Sequence, residues 1–126
     1  MAYDEMLAQR VRDCLAEEPG VREIRMFGGL CFTLNGNMCV GVLGDELMVR
    51  VGPEAFERCL SLPHARPMDF TGRPSRGMVY VAPAGLRQAR ELRTWVERGA
   101  GFARGLKPKA GGVRRRRKAA AAKPLR

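Results

Sequence analysis

The chain has 126 residues, 45% of them hydrophobic, and its formal net charge of +10 comes from 23 Lys and Arg against 13 Asp and Glu. This length predicts one domain, and the apolar content is sufficient for one modest core. No apolar run approaches the about 18 residues that a membrane-spanning helix needs, and the acidic first residues do not resemble a secretory leader, so we expect a cytoplasmic protein without membrane contact.

The first predicted element is an amphipathic helix over residues 3–18. Asp4 lies in its first turn, where a carboxylate interacts favourably with the helix dipole, and Pro19-Gly20 ends it. Apolar side chains recur on one stripe at helical spacing: Leu7, Val11, Cys14 and Leu15. A short extended lead-in over residues 21–25 connects this helix to the next element.

Residues 26–53 predict three antiparallel strands joined by two tight turns. Asn35-Gly36-Asn37 and Gly44-Asp45 are turn sequences, because Gly and Asn accept the positive φ that hairpins require. A three-residue first loop and a two-residue second loop bring the apolar side chains to one face: Leu30, Phe32, Leu34, Met38, Val40, Val42, Leu47, Val49 and Val51. The first loop pairs Leu30 with Val42, Phe32 with Val40 and Thr33 with Cys39, and the second pairs Val42 with Leu47, Val40 with Val49 and Met38 with Val51. A one-residue slip would turn one strand's set to the other face, so the pattern selects this register.

The opposite face of this meander is smaller and more polar, and we expect it to be solvated or lightly covered. It carries Cys31, Thr33, Cys39, Gly41, Leu43, Met48 and Arg50. Cys31 and Cys39 would be diagonal neighbours, too far apart for an easy disulfide. Because the four cysteines show neither a CxxC pair nor metal-like spacing, we predict reduced thiols, no metal and no cofactor.

Prolines and glycines divide the second half of the domain. Residues 61–77 form a long irregular segment, in which we expect a short strand near residues 68–70. A clear strand over residues 78–82 precedes a helix over residues 84–98, with Gly99 as its C-cap. The predicted fold class is therefore α+β, an antiparallel sheet of about four or five strands with a β-meander core, packed against the N- and C-terminal helices.

The irregular segment holds the candidate chemistry of the folded domain. Asp69, Arg73 and Arg76 flank a Thr-Gly-Arg-Pro turn, and Arg50 projects from the less apolar sheet face. These four residues are candidates for a polar cleft that binds an anion or a partner, and the alternative is an Asp–Arg pair that holds the loop. The sequence places no nucleophile beside His64, the single histidine, so we predict no catalytic residue.

The positive charge is concentrated at the C-terminal end. Nine of the 23 Lys and Arg follow Leu106, and no acidic residue follows Glu97. Residues 1–106 carry 14 basic and 13 acidic groups, a net +1, and residues 107–126 carry the other +9. The composition predicts a folded domain over residues 1–106 and a disordered basic tail over residues 107–126.

The tail is typical of segments that bind phosphates. Clustered Lys and Arg release counterions from nucleic acid, which gives binding that is independent of base sequence and sensitive to salt. The residues predicted to bind nucleic acid are Lys107, Lys109, Arg114, Arg115, Arg116, Arg117, Lys118 and Lys123. The alternatives are a solubilising extension and a segment that binds an acidic protein, whereas no apolar face or lipidation signal favours a membrane surface.

Four blocks follow one another along about residues 3–106: MFGGLCFTLNGNMCVGV, DELMVRVGPEAFE, HARPMDFTGRPSRGMVYV and ELRTWVERGAGFA. Together they resemble the TfoX N-terminal domain family, which is named for bacterial regulators of natural competence. The resemblance implies an antiparallel sheet packed on helices and a non-enzymatic regulator, such as a transcriptional co-activator. The two-domain regulators continue into a separate helical domain, whereas this sequence continues into the basic tail.

These observations predict a non-enzymatic regulatory or adaptor domain connected with transcription. Its tail would supply nonspecific nucleic-acid affinity, and its folded part would contact a protein partner or a second copy of the chain in a homodimer. One alternative is a small-molecule-binding domain or an unrecognised enzyme that uses Arg50, Asp69 and Arg73. The other is a protein-only adaptor whose tail binds acidic partners.

Overall fold

A computed structural model describes residues 3–26, 28–68 and 77–108 of the chain. The strands in these ranges are β1 (Val21–Met26), β2 (Gly29–Leu34), β3 (Asn37–Leu43), β4 (Glu46–Arg50), β5 (Ala65–Pro67) and β6 (Met78–Val81). The helices are α1 (Glu5–Cys14), α2 (Phe56–Leu60) and α3 (Ala89–Arg104), and a 3₁₀ turn spans Pro83–Gly85.

The six strands form one antiparallel sheet in the order β1-β2-β3-β4-β6-β5. Strands β1 to β4 are consecutive hairpins, and β6 returns to pair with β4 after α2 and β5. The α+β class and the packing of the sheet against N- and C-terminal helices are confirmed. The sheet exceeds the expected four or five strands because the lead-in after α1 is a complete edge strand, paired with β2 along its length.

The main core lies between one face of this sheet and helices α1 and α3. Helix α3 packs across β2, β3 and β4 and also contacts α1. The buried core side chains are at most 6% exposed and include Leu7, Val11, Phe32, Val40, Val49, Val79, Leu92, Trp95 and Val96. The alternation of apolar residues along the strands therefore identified the buried face correctly in most positions.

The turn between β2 and β3 contains two residues rather than the predicted three. Asn35 and Gly36 have φ angles of 53° and 84°, and Leu34 pairs with Asn37. Positive φ at both central positions is the type I′ geometry, which favours Asn-Gly because its twist matches that of the flanking strands. The predicted three-residue loop is wrong.

A β-bulge in β3 compensates for the shorter turn. Phe32 pairs with Val40, whereas Thr33 pairs with Met38, so Cys39 is the extra residue in this strand. The bulge reverses the predicted faces, because Cys39 lies in the main core and Met38 lies on the second face. The predicted pairing of Thr33 with Cys39 is therefore wrong.

The predicted register is confirmed away from the bulge. The pairs formed as expected are Phe32–Val40 and Leu30–Val42 in the first hairpin, and Val40–Val49 and Val42–Leu47 in the second. Gly44 and Asp45 make the predicted two-residue turn, with Leu43 opposite Glu46. The predicted contact of Met38 with Val51 is not part of the β3–β4 ladder, because the bulge turns Met38 away.

Several other predicted boundaries differ from the structure. Helix α1 begins after Asp4, which is its N-cap, and ends at Cys14 rather than at residue 18, and α3 begins at Ala89 rather than at residue 84. Strand β5 ends before the expected residues 68–70, of which 69 and 70 lie outside the described residues. Helix α3 continues through Gly99 and is followed by Gly105 as its C-cap. Gly99 is required for packing instead, because a Cβ there would lie 2.5 Å from the carbonyl oxygen of Cys39.

Candidate functional site

The second face of the sheet carries a small methionine-rich cluster. Cys31 and Met48 are 1% and 0% exposed, and half-buried Met26, Leu43 and Met78 pack around them. Methionine suits such a surface, because its flexible side chain fills irregular space. The centre of this face is therefore buried, and the expectation that the face is solvated or lightly covered is wrong there.

A cavity of about 460 Å³ opens beside this cluster, where the ends of several strands meet the last turns of α3. Its walls include Ile24, Met26, Thr33, Arg50, Met78 and Phe102. The volume falls within the range typical of small-molecule sites, about 300–1,000 Å³. Among the described residues, Arg50 is the one charged residue in the wall.

Arg50 is held at the wall by an aromatic ring. Its guanidinium carbon lies 5.3 Å from the ring centroid of Phe102, a cation–π contact. The same ring packs on Gly52, where a Cβ would lie only 2.5 Å from it. None of the carboxylates in the described ranges forms an ion pair with Arg50. The cavity therefore contains a cation whose charge is not neutralised by those carboxylates.

Thr33 is a second polar element of the cavity wall. It is 8% exposed, and its side chain makes no hydrogen bond to any other described residue. Buried hydroxyl groups are normally hydrogen-bonded, so an unsatisfied one in a cavity wall is a place where a ligand or water can bind. The sequence pattern placed Thr33 on the correct face but gave no signal for the cavity.

The structure places one of the four residues predicted to share a polar cleft. Arg50 lies in the cavity wall on the expected face of β4. Asp69, Arg73 and Arg76 lie outside the described residues. The predicted cleft and the alternative Asp–Arg pair both stay predictions.

The model of the TfoX N-terminal domain family matches residues 13–103. The chain belongs to the TfoX N-terminal domain family. The resemblance noted in the sequence is confirmed, and the matched span runs from the end of α1 almost to the end of α3. Searches of curated proteins and of solved structures gave no match.

The last described residues lie beside the turn between β2 and β3. Asn37 is 2% exposed, and its Nδ2 donates a hydrogen bond of 2.8 Å to the carbonyl oxygen of Lys107. Lys107 is thus held next to Asn37, whose neighbour in the chain, Gly36, lines the cavity. Lys107 is exposed, and the other predicted nucleic-acid-binding residues lie outside the described residues: Lys109, Arg114, Arg115, Arg116, Arg117, Lys118 and Lys123.

Several arginines of the domain are paired with carboxylates. Arg12 bonds Glu23 at 2.5 Å, Arg66 bonds Glu46 at 2.6 Å, and Arg104 bonds Glu18 and Glu97 at 2.8 and 2.7 Å. Hydrogen bonds from arginine hold the pKa values of Glu18, Glu23 and Glu97 below their ordinary values. These pairs neutralise each other and so add little to any positive surface.

The cysteines and the histidine show no arrangement typical of catalysis. All four cysteines are free thiols, and burial raises the pKa of Cys39 to about 12, which leaves it a poor nucleophile at neutral pH. Cys31 and Cys39 lie on opposite faces, so the predicted diagonal pair is wrong. His64 is an exposed loop residue whose carbonyl accepts a hydrogen bond from the amide of Ala82.

The described part of the chain contains neither a membrane-spanning helix nor a cluster of metal ligands. None of its helices is long and apolar enough to cross a membrane. No group of three or more His, Cys, Asp or Glu side chains in those ranges could hold a metal ion.

Proposed function

We propose that this TfoX N-terminal domain is a non-enzymatic regulatory or adaptor module connected with transcription, held near nucleic acid by its basic tail. The observation that supports this function best is the separation of charge, +1 over residues 1–106 and +9 over residues 107–126. Electrostatic affinity for nucleic acid grows with the number of phosphates that a protein neutralises. The tail therefore supplies most of the affinity.

The folded domain can then bind a protein partner or a second copy of the chain. Its ion pairs satisfy several arginines within the domain, and Asn37 donates a hydrogen bond to the carbonyl oxygen of Lys107, the first residue of the proposed tail. A tail anchored in this way raises the local concentration of the domain near nucleic acid, which favours weak contacts with a protein partner or a second copy.

Two full-length variants of equal charge test the role of the tail. In one, four tail residues, Arg114, Arg115, Arg116 and Arg117, become Gln; in the control, four exposed domain residues, Arg58, Arg87, Arg90 and Arg93, become Gln. Fluorescence anisotropy of labelled duplex DNA and matched RNA is measured over a salt series. We expect the tail variant to bind at least about tenfold more weakly, with a salt slope reduced by up to about four.

The control should bind within about twofold of the unaltered chain, because nonspecific affinity follows the phosphate contacts. Equal losses in the two variants, or no binding by the unaltered chain at physiological salt, would contradict the proposal. Binding to polyglutamate but not to DNA or RNA would instead support the adaptor whose tail binds acidic proteins.

The cavity supports a second candidate function, the binding of a small apolar molecule with an anionic head group. Arg50 and the buried Thr33 supply polar contacts, and methionine and aromatic side chains supply the apolar wall. No carboxylate of the described residues lines the cavity, which favours binding over acid–base catalysis.

Octanoate and benzoate are suitable probes, with NMR shifts of cavity residues as the readout. Arg50→Gln should weaken binding about tenfold, whereas Arg98→Gln should not, because Arg98 stacks on Trp95 rather than lining this cavity. The absence of shifts in cavity residues at millimolar probe would eliminate this candidate.

A further inference from the structure

The two edge strands of the sheet differ in how open they are to another strand. Strand β5 has three residues and includes Pro67, which lacks the N–H that pairing requires. Strand β1 has six residues without proline, and its four central residues are exposed. Ile24 in its middle is 43% exposed, one of two exposed large apolar side chains among the described residues. Edges of this kind accept a further strand.

The hydrogen bonding of β1 determines which of its residues can pair outward. The carbonyl oxygen of Gly20 accepts a hydrogen bond of 3.0 Å from the amide of Asn35, the residue after β2. Gly20 and Asn35 therefore form a hydrogen-bonded pair at the end of the β1–β2 ladder. Hydrogen-bonded and non-hydrogen-bonded pairs alternate along an antiparallel ladder. Ile24 therefore directs its backbone groups to β2, whereas Glu23 and Arg25 direct theirs to the open edge.

We propose that two copies of this chain pair antiparallel through β1, with the two-fold axis at Ile24. Outward hydrogen bonds require that outward-facing residues lie opposite each other, so the two-fold axis passes through a residue. Within the central part of β1 this leaves Arg22, Glu23, Ile24 and Arg25 as centres. A centre at Arg22, Glu23 or Arg25 places that charge opposite itself. A centre at Ile24 places Glu23 opposite Arg25 twice, and opposite charges across strands stabilise pairing.

Side chains on both faces of β1 favour this contact. Arg12 bonds Glu23 through two nitrogens, at 2.5 and 2.8 Å, so the carboxylate is already fixed beside the edge. On the other face, Ile24 meets Ile24 of the second copy as a non-hydrogen-bonded pair, about 4.5 Å apart at Cα, which buries both exposed side chains. The pairing joins two six-stranded sheets into one continuous sheet.

Pairing through one six-residue edge buries little surface, so the dimer is weak and forms at high protein concentration. A dimer carries two basic tails and would bind one nucleic acid more tightly than a monomer. The pairing does not itself depend on the proposed function, because it uses only the folded domain and is measured without nucleic acid.

Cysteine cross-linking of the full chain tests the register. In the proposed dimer Ile24→Cys places two thiols opposite each other, whereas Arg22→Cys, on the same edge and the same face, lies opposite Met26. Under a mild oxidant we expect a disulfide dimer several-fold more abundant for I24C than for R22C or the unaltered chain, whose four cysteines set the background. Equal yields from I24C and R22C would overturn the proposal.

Charge variants test the same register by sedimentation. Arg25→Glu places two carboxylates opposite each other, at position 23 of one copy and position 25 of the other. R12E/E23R keeps the ion pair between α1 and β1 with its charges exchanged, and it places two guanidinium groups opposite each other at those positions. Each variant alone should be monomeric at concentrations where the unaltered chain dimerises, and an equal mixture should form heterodimers. An unaltered chain that stays monomeric at high micromolar concentration, or a mixture that does not associate, would overturn the proposal.

Discussion

Two glycines of α3 that are two residues apart have different roles. At Gly99 a Cβ would lie 2.5 Å from the carbonyl oxygen of Cys39 and 2.8 Å from Cγ1 of Val40. At Gly101 the nearest atoms are the ends of flexible side chains, 3.8 and 3.9 Å away. The first glycine allows the helix to approach β3, and the second leaves an exposed helix position without a side chain.

We predict that Gly99→Ala lowers the free energy of unfolding by about 1–3 kcal/mol, because the added methyl group separates α3 from β3. Gly101→Ala is the matched control and should raise it by about 0.5–1 kcal/mol, since alanine favours the helix. Urea denaturation followed by Trp95 fluorescence measures both changes. A G99A variant as stable as G101A would show that the close approach is not needed.

At the scale of elements, Arg104 connects the end of α3 to the segment between α1 and β1. Its guanidinium donates hydrogen bonds to Glu18, which follows α1, and to Glu97, which lies two turns earlier in α3. These hydrogen bonds lower the pKa values of both carboxyl groups. Because Arg104 and Glu97 are well exposed, solvent screens much of this interaction.

We predict that Arg104→Gln lowers stability at pH 7 by at most about 1 kcal/mol, and that this difference disappears in acid. A carboxyl group with a lowered folded-state pKa stabilises the fold above its unfolded pKa, about 4.3, and this stabilisation is lost as pH falls through the folded value. Urea midpoints at several pH values measure the difference, with the exposed Arg93→Gln as control. A loss that persists undiminished at pH 3 would indicate packing rather than ionisation.

The sequence predicted the strands better than the turn that joins the first two of them. Asn35-Gly36 favours a two-residue turn, but such a turn alone would send the apolar residues of β3 to the wrong face. The bulge at Cys39 corrects this, and it is hidden in the sequence because Cys39 and Val40 are both apolar. A three-residue loop and a two-residue turn with a bulge consume the same number of residues, so periodicity could not separate them.

At the scale of the whole molecule, the candidate site was predictable only in part. The face of Arg50 followed from strand alternation, but the cavity is assembled from several strands and the end of α3, including Phe102. Contacts between elements so distant in the chain leave no local pattern. The charge of the tail, in contrast, is a property of composition and could be predicted directly.

The proposed function depends on the division between domain and tail, and NMR of the full chain titrated with a short DNA duplex tests this division. We predict that backbone amide shifts are confined to residues 107–126 and their junction at Asn37, whereas amides of the sheet and of α3 stay in place, because the folded part carries a net charge of only +1. Larger shifts on the strands or on α3 than in the tail would contradict this account and would assign nucleic-acid recognition to the folded surface.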